Sequence, residues 1–279
     1  MHATHATRAT QAGAYARTVR KESGGPGLLL AHGGGGSVES NFGPVLDALA
    51  AGHSVVGIDY PGTGATPRAT RPLELDDLAD QLVAAADAEG LERFAVLGYS
   101  LGGNVAVRIA ARYPRRVTAL VLTASFARAD HRLGLIAGLW AELARRGEGE
   151  LLARLLVPLT LSPQALEGMT GEQVEEVVRA TAASFPPGGG DHAALVKGAD
   201  LRDDLARIDV PALVIATTAD LLASLEGQRE LADLLPGARW AELATGHLPF
   251  VERPGEWAEL ITGFLADVEA EAEAEAGRG

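Results

Sequence analysis

Gly98-Tyr99-Ser100-Leu101-Gly102 sets one serine between two glycines, a G-x-S-x-G pattern, in a chain of 279 residues. The apolar run Phe94-Ala95-Val96-Leu97 precedes it, and Leu101-Gly102-Gly103-Asn104-Val105 opens a helical pattern after it. A serine at such a strand-to-helix turn is forced into strained backbone and lifts its hydroxyl above the sheet edge, and the two glycines remove side chains that would collide. It also sits at a helix N-terminus, whose free N–H groups favour developing negative charge. The chemistry this suits is nucleophilic attack on a carbonyl. The competing reading is a serine that merely caps the helix. A hydroxyl is a poor nucleophile at neutral pH and needs a positioned base. Seven histidines are available: His2, His5, His32, His53, His131, His192 and His247. There is no cysteine, so a thiol nucleophile, a thiolate metal site and a disulfide framework are all excluded.

The elements that must position Ser100 follow from the apolar periodicity. Short apolar runs at 28–31, 54–58, 94–97, 117–122 and 212–216 read as strands, with a weaker sixth at 239–243. Continuous rather than alternating runs suit strands buried on both faces, as in a parallel sheet. Helical patterns separate them. Residues 76–88 place Leu78, Leu82, Val83 and Ala86 on one face, 101–112 places Val105 and Ile109 together, 225–235 stops at Pro236-Gly237, and 256–268 closes the fold. This alternation predicts an α/β doubly wound, mostly parallel sheet. Residues 126–196 break the rhythm. They read as helices at 132–145, 148–156 and 171–183, followed by a flexible Pro-Pro-Gly-Gly-Gly at 186–190. An all-helical insertion at the carboxyl ends of strands sits where ligands bind in open α/β sheets, so a cap or lid over 126–196 is expected, with the core formed by 14–125 and 197–268.

The ends carry less. Residues 1–13 lack the apolar stretch of a secretory signal and read as a loose terminus; a metal held by His2 and His5 is the weaker reading. Residues 269–279 hold four Glu and one Arg; they read as a solvated acidic tail, with extension of the final helix before fraying as the alternative. No run of about 18 apolar residues is present, so no transmembrane helix is expected, and the cytoplasm is the default location. A net charge of −13 disfavours nucleic acid and anionic membrane surfaces as partners. The glycine run at 33–36 lacks the following Lys-Ser/Thr of a phosphate loop and the spacing of a dinucleotide fingerprint.

In order along the chain stand His32-Gly33-Gly34-Gly35-Gly36, Asp59-Tyr60-Pro61-Gly62-Thr63-Gly64, Gly98-Tyr99-Ser100-Leu101-Gly102-Gly103, Tyr113-Pro114 before the fourth strand, Val210-Pro211 before the fifth, and Gly246-His247-Leu248-Pro249-Phe250 near the end. Together these motifs resemble the α/β-hydrolase superfamily from about Gly27 to Ala266, interrupted only by the cap. The resemblance implies the chain order Ser, then Asp or Glu, then His. His247 then becomes the base. The acid falls on the loop after the strand at 212–216, which makes it Asp220. Thr217-Thr218 and Ser224 depart from the glycine and proline usual in that loop. The rival position after 117–122 offers Ser125 and no acid before Asp130. Oxyanion donors are the N–H of Leu101, directly after the nucleophile, and by resemblance that of Gly34. His32 takes a structural role in shaping the glycine loop, and Asp59 that of a turn former. His53 is placed on the surface at a helix-to-strand turn, whereas His131 and His192 fall in or beside the insertion, where either could face the pocket. Tyr99, Phe126, His131, Trp140 and Leu248 are candidate substrate contacts.

The expected activity is that of a serine hydrolase acting through an acyl-enzyme on an ester, lactone or thioester of a hydrophobic small molecule. No cofactor and no metal are implied, the expected partner is a small-molecule substrate, and the oligomeric state is left open. An Arg-over-Lys, Ala- and Gly-rich composition resembles GC-rich coding and fits a tailoring enzyme of specialised metabolism. Eliminations, cyclisations, cofactor-free perhydrolysis and C–C bond cleavage use the same three residue types and stay open. A hydrolase-like ligand receptor is the alternative from a different class. Serine at the turn argues against epoxide hydrolases and haloalkane dehalogenases, which place aspartate there.

Overall fold

The computed structural model describes residues 15–21 and 23–277. The expectations for residues 1–13, including a His2–His5 pair, lie outside the described residues. In chain order the elements are β1 (Arg17–Arg20), β2 (Gly27–Ala31), α1 (Val38–Gly52), β3 (Ser54–Ile58), α2 (Leu75–Ala88), β4 (Phe94–Tyr99), α3 (Leu101–Arg112), β5 (Val117–Thr123), α4 (His131–Arg146), α5 (Gly149–Thr160), α6 (Pro163–Glu167), α7 (Gly171–Ser184), α8 (Gly189–Lys197), α9 (Arg202–Leu205), β6 (Ala212–Thr217), α10 (Leu225–Asp233), β7 (Arg239–Leu243), α11 (Pro249–Glu252) and α12 (Pro254–Ala276).

The strands form one seven-stranded sheet in the order β1-β3-β2-β4-β5-β6-β7. β2 to β7 run parallel, and β1 alone pairs antiparallel, Arg17 opposite Ile58. Burial on both faces explains the continuous apolar runs. In β4, Phe94 and Val96 join the core shared with α2 and α3, whereas Ala95 and Leu97 join the core shared with α1 and α12. Each face therefore owns alternate residues of the same strand. Polar β1 lies at the sheet edge, half-buried throughout, where an alternating or apolar signal is not required.

The insertion between β5 and β6 leaves and returns through a paired neck. Ala129 N–H donates to the Ala199 carbonyl (3.0 Å) and Leu201 N–H to that of Ala127 (2.8 Å). Helices α4 to α8 lie beyond that neck, with α4 against α8 and α5 against α7.

Two local expectations are corrected, for His53 and for residues 186–190. His53 is not on the surface: it is buried, with Nε2 2.9 Å from Glu269 Oε1, because α12 packs along α1 and covers the turn. The acidic segment from Glu269 continues α12 as far as Ala276, exposed to solvent beyond Glu269, and Arg239 reaches Asp267 and Glu271 of that helix. The 186–190 segment is not a flexible joint: Gly188 N–H donates to the Gly62 carbonyl (3.0 Å) and Gly189 opens α8.

Candidate active site

Ser100 occupies the tight turn between β4 and α3 with φ 52° and ψ −120°, one of two described non-glycine residues at positive φ. Such backbone is costly for a residue with a Cβ and persists only where its surroundings over-determine it. Here Ser100 N–H donates to the Thr123 carbonyl (2.9 Å), and the Ser125 hydroxyl donates to the Ser100 carbonyl (2.9 Å). Gly102 must be glycine because a Cβ there would strike the Ala31 carbonyl of β2. The crossing of β2 and α3 at that point is what brings the glycine loop after β2 beside the serine.

His247 Nε2 lies 3.0 Å from Ser100 Oγ, and His247 Nδ1 lies 2.7 Å from Asp220 Oδ2. The three side chains thus form a continuous hydrogen-bonded relay from chain positions far apart in sequence. Asp220 sits on the loop after β6 with a fully buried side chain. Its Oδ1 accepts from the N–H groups of Leu222 (2.8 Å) and Ala223 (2.9 Å), and Oδ2 also accepts from the Thr217 hydroxyl (2.9 Å). Three donors besides histidine satisfy a buried carboxylate that would otherwise be costly to desolvate. Thr217 therefore has a use in this loop, where a glycine is more usual. Gln228 accepts from Thr217 N–H (3.0 Å) and donates to the Ala223 carbonyl (2.9 Å), tying α10 to the same loop.

The histidine loop is held from two sides. Tyr99 O–H donates to the His247 carbonyl (2.8 Å), and His247 N–H donates to the carbonyl of Thr160 at the end of α5 (2.7 Å). Glu252 Oε1 accepts from both Gly246 N–H and Ser162 N–H, each at 3.0 Å. Sequence reading marks Thr217 only as a departure from the usual glycine and does not single out Gln228, Thr160 or Glu252, since polar groups this scattered leave no periodic signal.

The glycine loop after β2 is pinned residue by residue. Gly33 N–H donates to Asn41 Oδ1 (2.9 Å), and the Gly33 carbonyl lies 2.8 Å from His32 Nδ1. His32 Nε2 accepts from Tyr60 N–H (2.9 Å), so Nδ1 carries the ring proton and donates it. Burial holds this imidazole neutral, with its pKa lowered to about 3. Gly35 takes φ +72°, a left-handed conformation that glycine tolerates without cost, and its N–H donates to His192 Nδ1 (3.0 Å). Among the described residues, no acceptor stands at the Gly34 N–H. Leu101, as the first residue of α3, has no intrahelical partner for its own N–H.

A cavity of about 500 Å³ opens onto Ser100 and His247, between the sheet and α4, α5 and α7. Tyr99, Phe126, Trp140 and Leu248 line it, as expected from the sequence, together with Val177 and Phe185. His131 does not: it is exposed at the first turn of α4, away from the cavity. His192, the other histidine read near the pocket, is fully buried at the glycine loop rather than in the lining. Among the described residues, no Lys, Arg, Asp or Glu contributes to the lining. Among the described residues, no group of three or more His, Cys, Asp or Glu is placed to hold a metal ion.

Residues 26–254 match the family model for the alpha/beta hydrolase fold. The chain belongs to that family. It is 33% identical over 234 residues to the pyrrolizixenacetamide deacetylase of Xenorhabdus hominickii, covering 83% of this chain and 88% of the deacetylase. It is 30% identical over 232 residues to a pimeloyl-[acyl-carrier protein] methyl ester esterase of Neisseria meningitidis, covering 80% of this chain and 87% of the esterase. Among solved structures, the enol-lactonase from Burkholderia xenovorans LB400 superposes with a TM-score of 0.79 at 26% identity, over 90% of this chain and 95% of the lactonase. With relatives that are hydrolases and a sheet of the same architecture, this alpha/beta hydrolase is an enzyme of the hydrolase class. None of its described helices is long and apolar enough to cross a membrane.

Proposed function

We propose that the protein is a serine hydrolase that cleaves a carboxylic ester, lactone or thioester of an uncharged, largely apolar small molecule through an acyl-enzyme. The observation that carries this reading is the relay from Asp220 through His247 to Ser100, with contacts of 2.7 and 3.0 Å, at the floor of the apolar cavity.

In this mechanism Ser100 Oγ attacks the carbonyl carbon while its proton passes to His247 Nε2. Asp220 holds the imidazole in the tautomer that leaves Nε2 free to accept, and stabilises the imidazolium once it forms. The negative charge on the former carbonyl oxygen is met by the N–H groups of Gly34 and Leu101, each contributing about 3–4 kcal/mol to the transition state. His247 then delivers its proton to the leaving group, and the carbon–heteroatom bond breaks. Water attacks the acyl-Ser100 carbonyl, giving one proton to His247; collapse releases the acid and returns the proton to Ser100.

Substrate class follows from the lining. A carboxylate or phosphate entering this cavity would lose its hydration and find no cationic side chain among the described residues to replace it. An apolar acyl or ring group loses nothing and gains contact with Val177, Trp140, Phe185 and Leu248. Helices α4 to α8 act here as a cap, supplying the roof of the pocket and its selectivity. Similarity to a deacetylase and to a methyl ester esterase supports acyl transfer as the reaction class.

The test is a panel of neutral and carboxylate-bearing esters, lactones and thioesters, turned over by wild type and by Ser100→Ala. Neutral substrates should be preferred, and the variant should lose about 10⁴-fold or more in kcat on all of them. Unchanged turnover by Ser100→Ala would reject the covalent mechanism.

A further inference from the structure

A peptide group is a rigid plane, so fixing its carbonyl also fixes where its N–H points. The donor assigned to Gly34 belongs to the Gly33–Gly34 peptide. That peptide is held from the core side, where His32 Nδ1–H donates to the Gly33 carbonyl. The next peptide, Gly34–Gly35, is held by a residue of α8, which belongs to the inserted helices: His192 Nδ1 accepts from Gly35 N–H at 3.0 Å. Four consecutive glycines offer almost no intrinsic resistance to rotation of either peptide.

His192 is held in one orientation. It is fully buried, and Nε2–H donates to the Pro61 carbonyl at 3.1 Å, which fixes the tautomer and leaves Nδ1 as an acceptor. Desolvation lowers its pKa to about 4, and the adjacent Asp191 is turned to Arg68, with contacts of 2.6 and 2.9 Å. His32 and Tyr60 are the other titratable rings facing it, at 6.3 and 6.0 Å between centroids. The start of α8 is anchored to the same core turn by Gly188 N–H on the Gly62 carbonyl. Trp140 of α4 adds a wall: a Cβ on Gly35 would come within 2.9 Å of its indole.

We infer that His192 is a positioning residue for the oxyanion hole: His32 and the Gly36 N–H hold the Gly33 carbonyl on one side of Gly34, and by holding the Gly34–Gly35 peptide on the other side His192 steadies the aim of the Gly34 N–H at the reacting carbonyl while α8 is seated on the core. This rests on the serine-hydrolase reading above. It assigns the inserted helices a part in transition-state stabilisation in addition to roofing the pocket.

The test separates the two. Wild type is first shown to react with a fluorophosphonate at Ser100; no reaction there would defeat the hydrolase reading itself. Three variants then follow. His192→Ala removes both ring nitrogens. In His192→Asn, Oδ1 stands where Nδ1 stood and can accept from Gly35. In His192→Gln, Nε2 stands where the ring Nε2 stood, so the donor to Pro61 is kept without the acceptor.

The expected result is a loss of about 10- to 100-fold in kcat for the Ala and Gln variants, with KM within about threefold of wild type. Affinity for a trifluoromethyl ketone, whose hemiketal places an oxyanion in the hole, should fall by the same factor. The Asn variant should recover most of both. A purely structural histidine predicts the opposite pattern: lowered Tm and raised KM, with kcat and ketone affinity preserved. Equal behaviour of the Asn and Gln variants, or kcat and ketone affinity within twofold of wild type in both Ala and Gln, would overturn the inference.

Discussion

Every residue of β2, β3, β4 and β6 is buried, whereas α4, sixteen residues long, buries only Leu133 and Ala137, and α7 buries only Val178. The floor of the site is a finished core. Its roof is a set of amphipathic helices whose inward faces meet the cavity instead of other side chains, with a small cluster of Ala153, Val157, Leu161 and Val178 holding α5 to α7. In the proposed function an apolar substrate supplies the partners for those half-buried faces. The same division runs through the chemistry. Ser100, Asp220 and His247 all stand on core loops, while two of the loops around them are tied to the inserted helices, through Thr160 and Ser162 on one side and His192 on the other. On the proposed mechanism, a rigid floor sets the reacting groups, and a lightly packed roof completes the surroundings of the transition state.

Substitutions should break this contrast in a graded way. The largest effect falls on the floor: Asp220→Asn should lower kcat about 10³- to 10⁴-fold with Tm changed little, because the asparagine fills the same space but favours the wrong imidazole tautomer. Steady-state kinetics beside a melting curve checks this. Leu97→Ala, at a fully buried strand position away from the cavity, should cost about 2–5 kcal/mol in denaturant unfolding and leave the KM of the surviving folded enzyme unchanged.

Acidification comes next. His32 and His192 stay neutral in the fold, with pKa values lowered to about 3 and about 4, but take up protons in the unfolded chain near 6.5. The unfolded state binds more protons below that point, so stability is full above about pH 6.5 and falls as pH drops toward 4. His192 alone accounts for about 3 kcal/mol over that window. Tm measured against pH should show the decline, and His192→Asn should flatten part of it while the His32 part remains. The smallest effect on stability belongs to the roof. Val177→Ala should shift unfolding by less than about 1 kcal/mol, yet raise KM for long apolar acyl groups severalfold.

The floor was largely legible in the sequence and the roof was not, for a physical reason. Strands buried on both faces must be continuously apolar, so β2 to β6 announce themselves, and the turn at Ser100 needs the glycines that flank it. β1 escaped because Arg-Thr-Val-Arg at an edge carries no such constraint. His53 was misplaced because its cover, the far end of α12, lies 216 residues away. The departure at Thr217 read as a weakness in the acid assignment, whereas its hydroxyl donates to Asp220. In the insertion, the helices and the lining residues Phe126 and Trp140 were readable, but the placement of the histidines was not. His131 and His192 are both histidines near cap helices, and only the tertiary packing turns one to solvent and buries the other against Gly35.

The central claim is that Ser100 is the activated nucleophile, and one measurement addresses it directly. Wild type is treated with a fluorophosphonate, weighed intact and mapped by peptide mass spectrometry. The account predicts a single adduct on the peptide carrying Ser100, absent in Ser100→Ala and much slower to form in His247→Ala. An adduct on another residue, or labelling as fast in His247→Ala as in wild type, would contradict it.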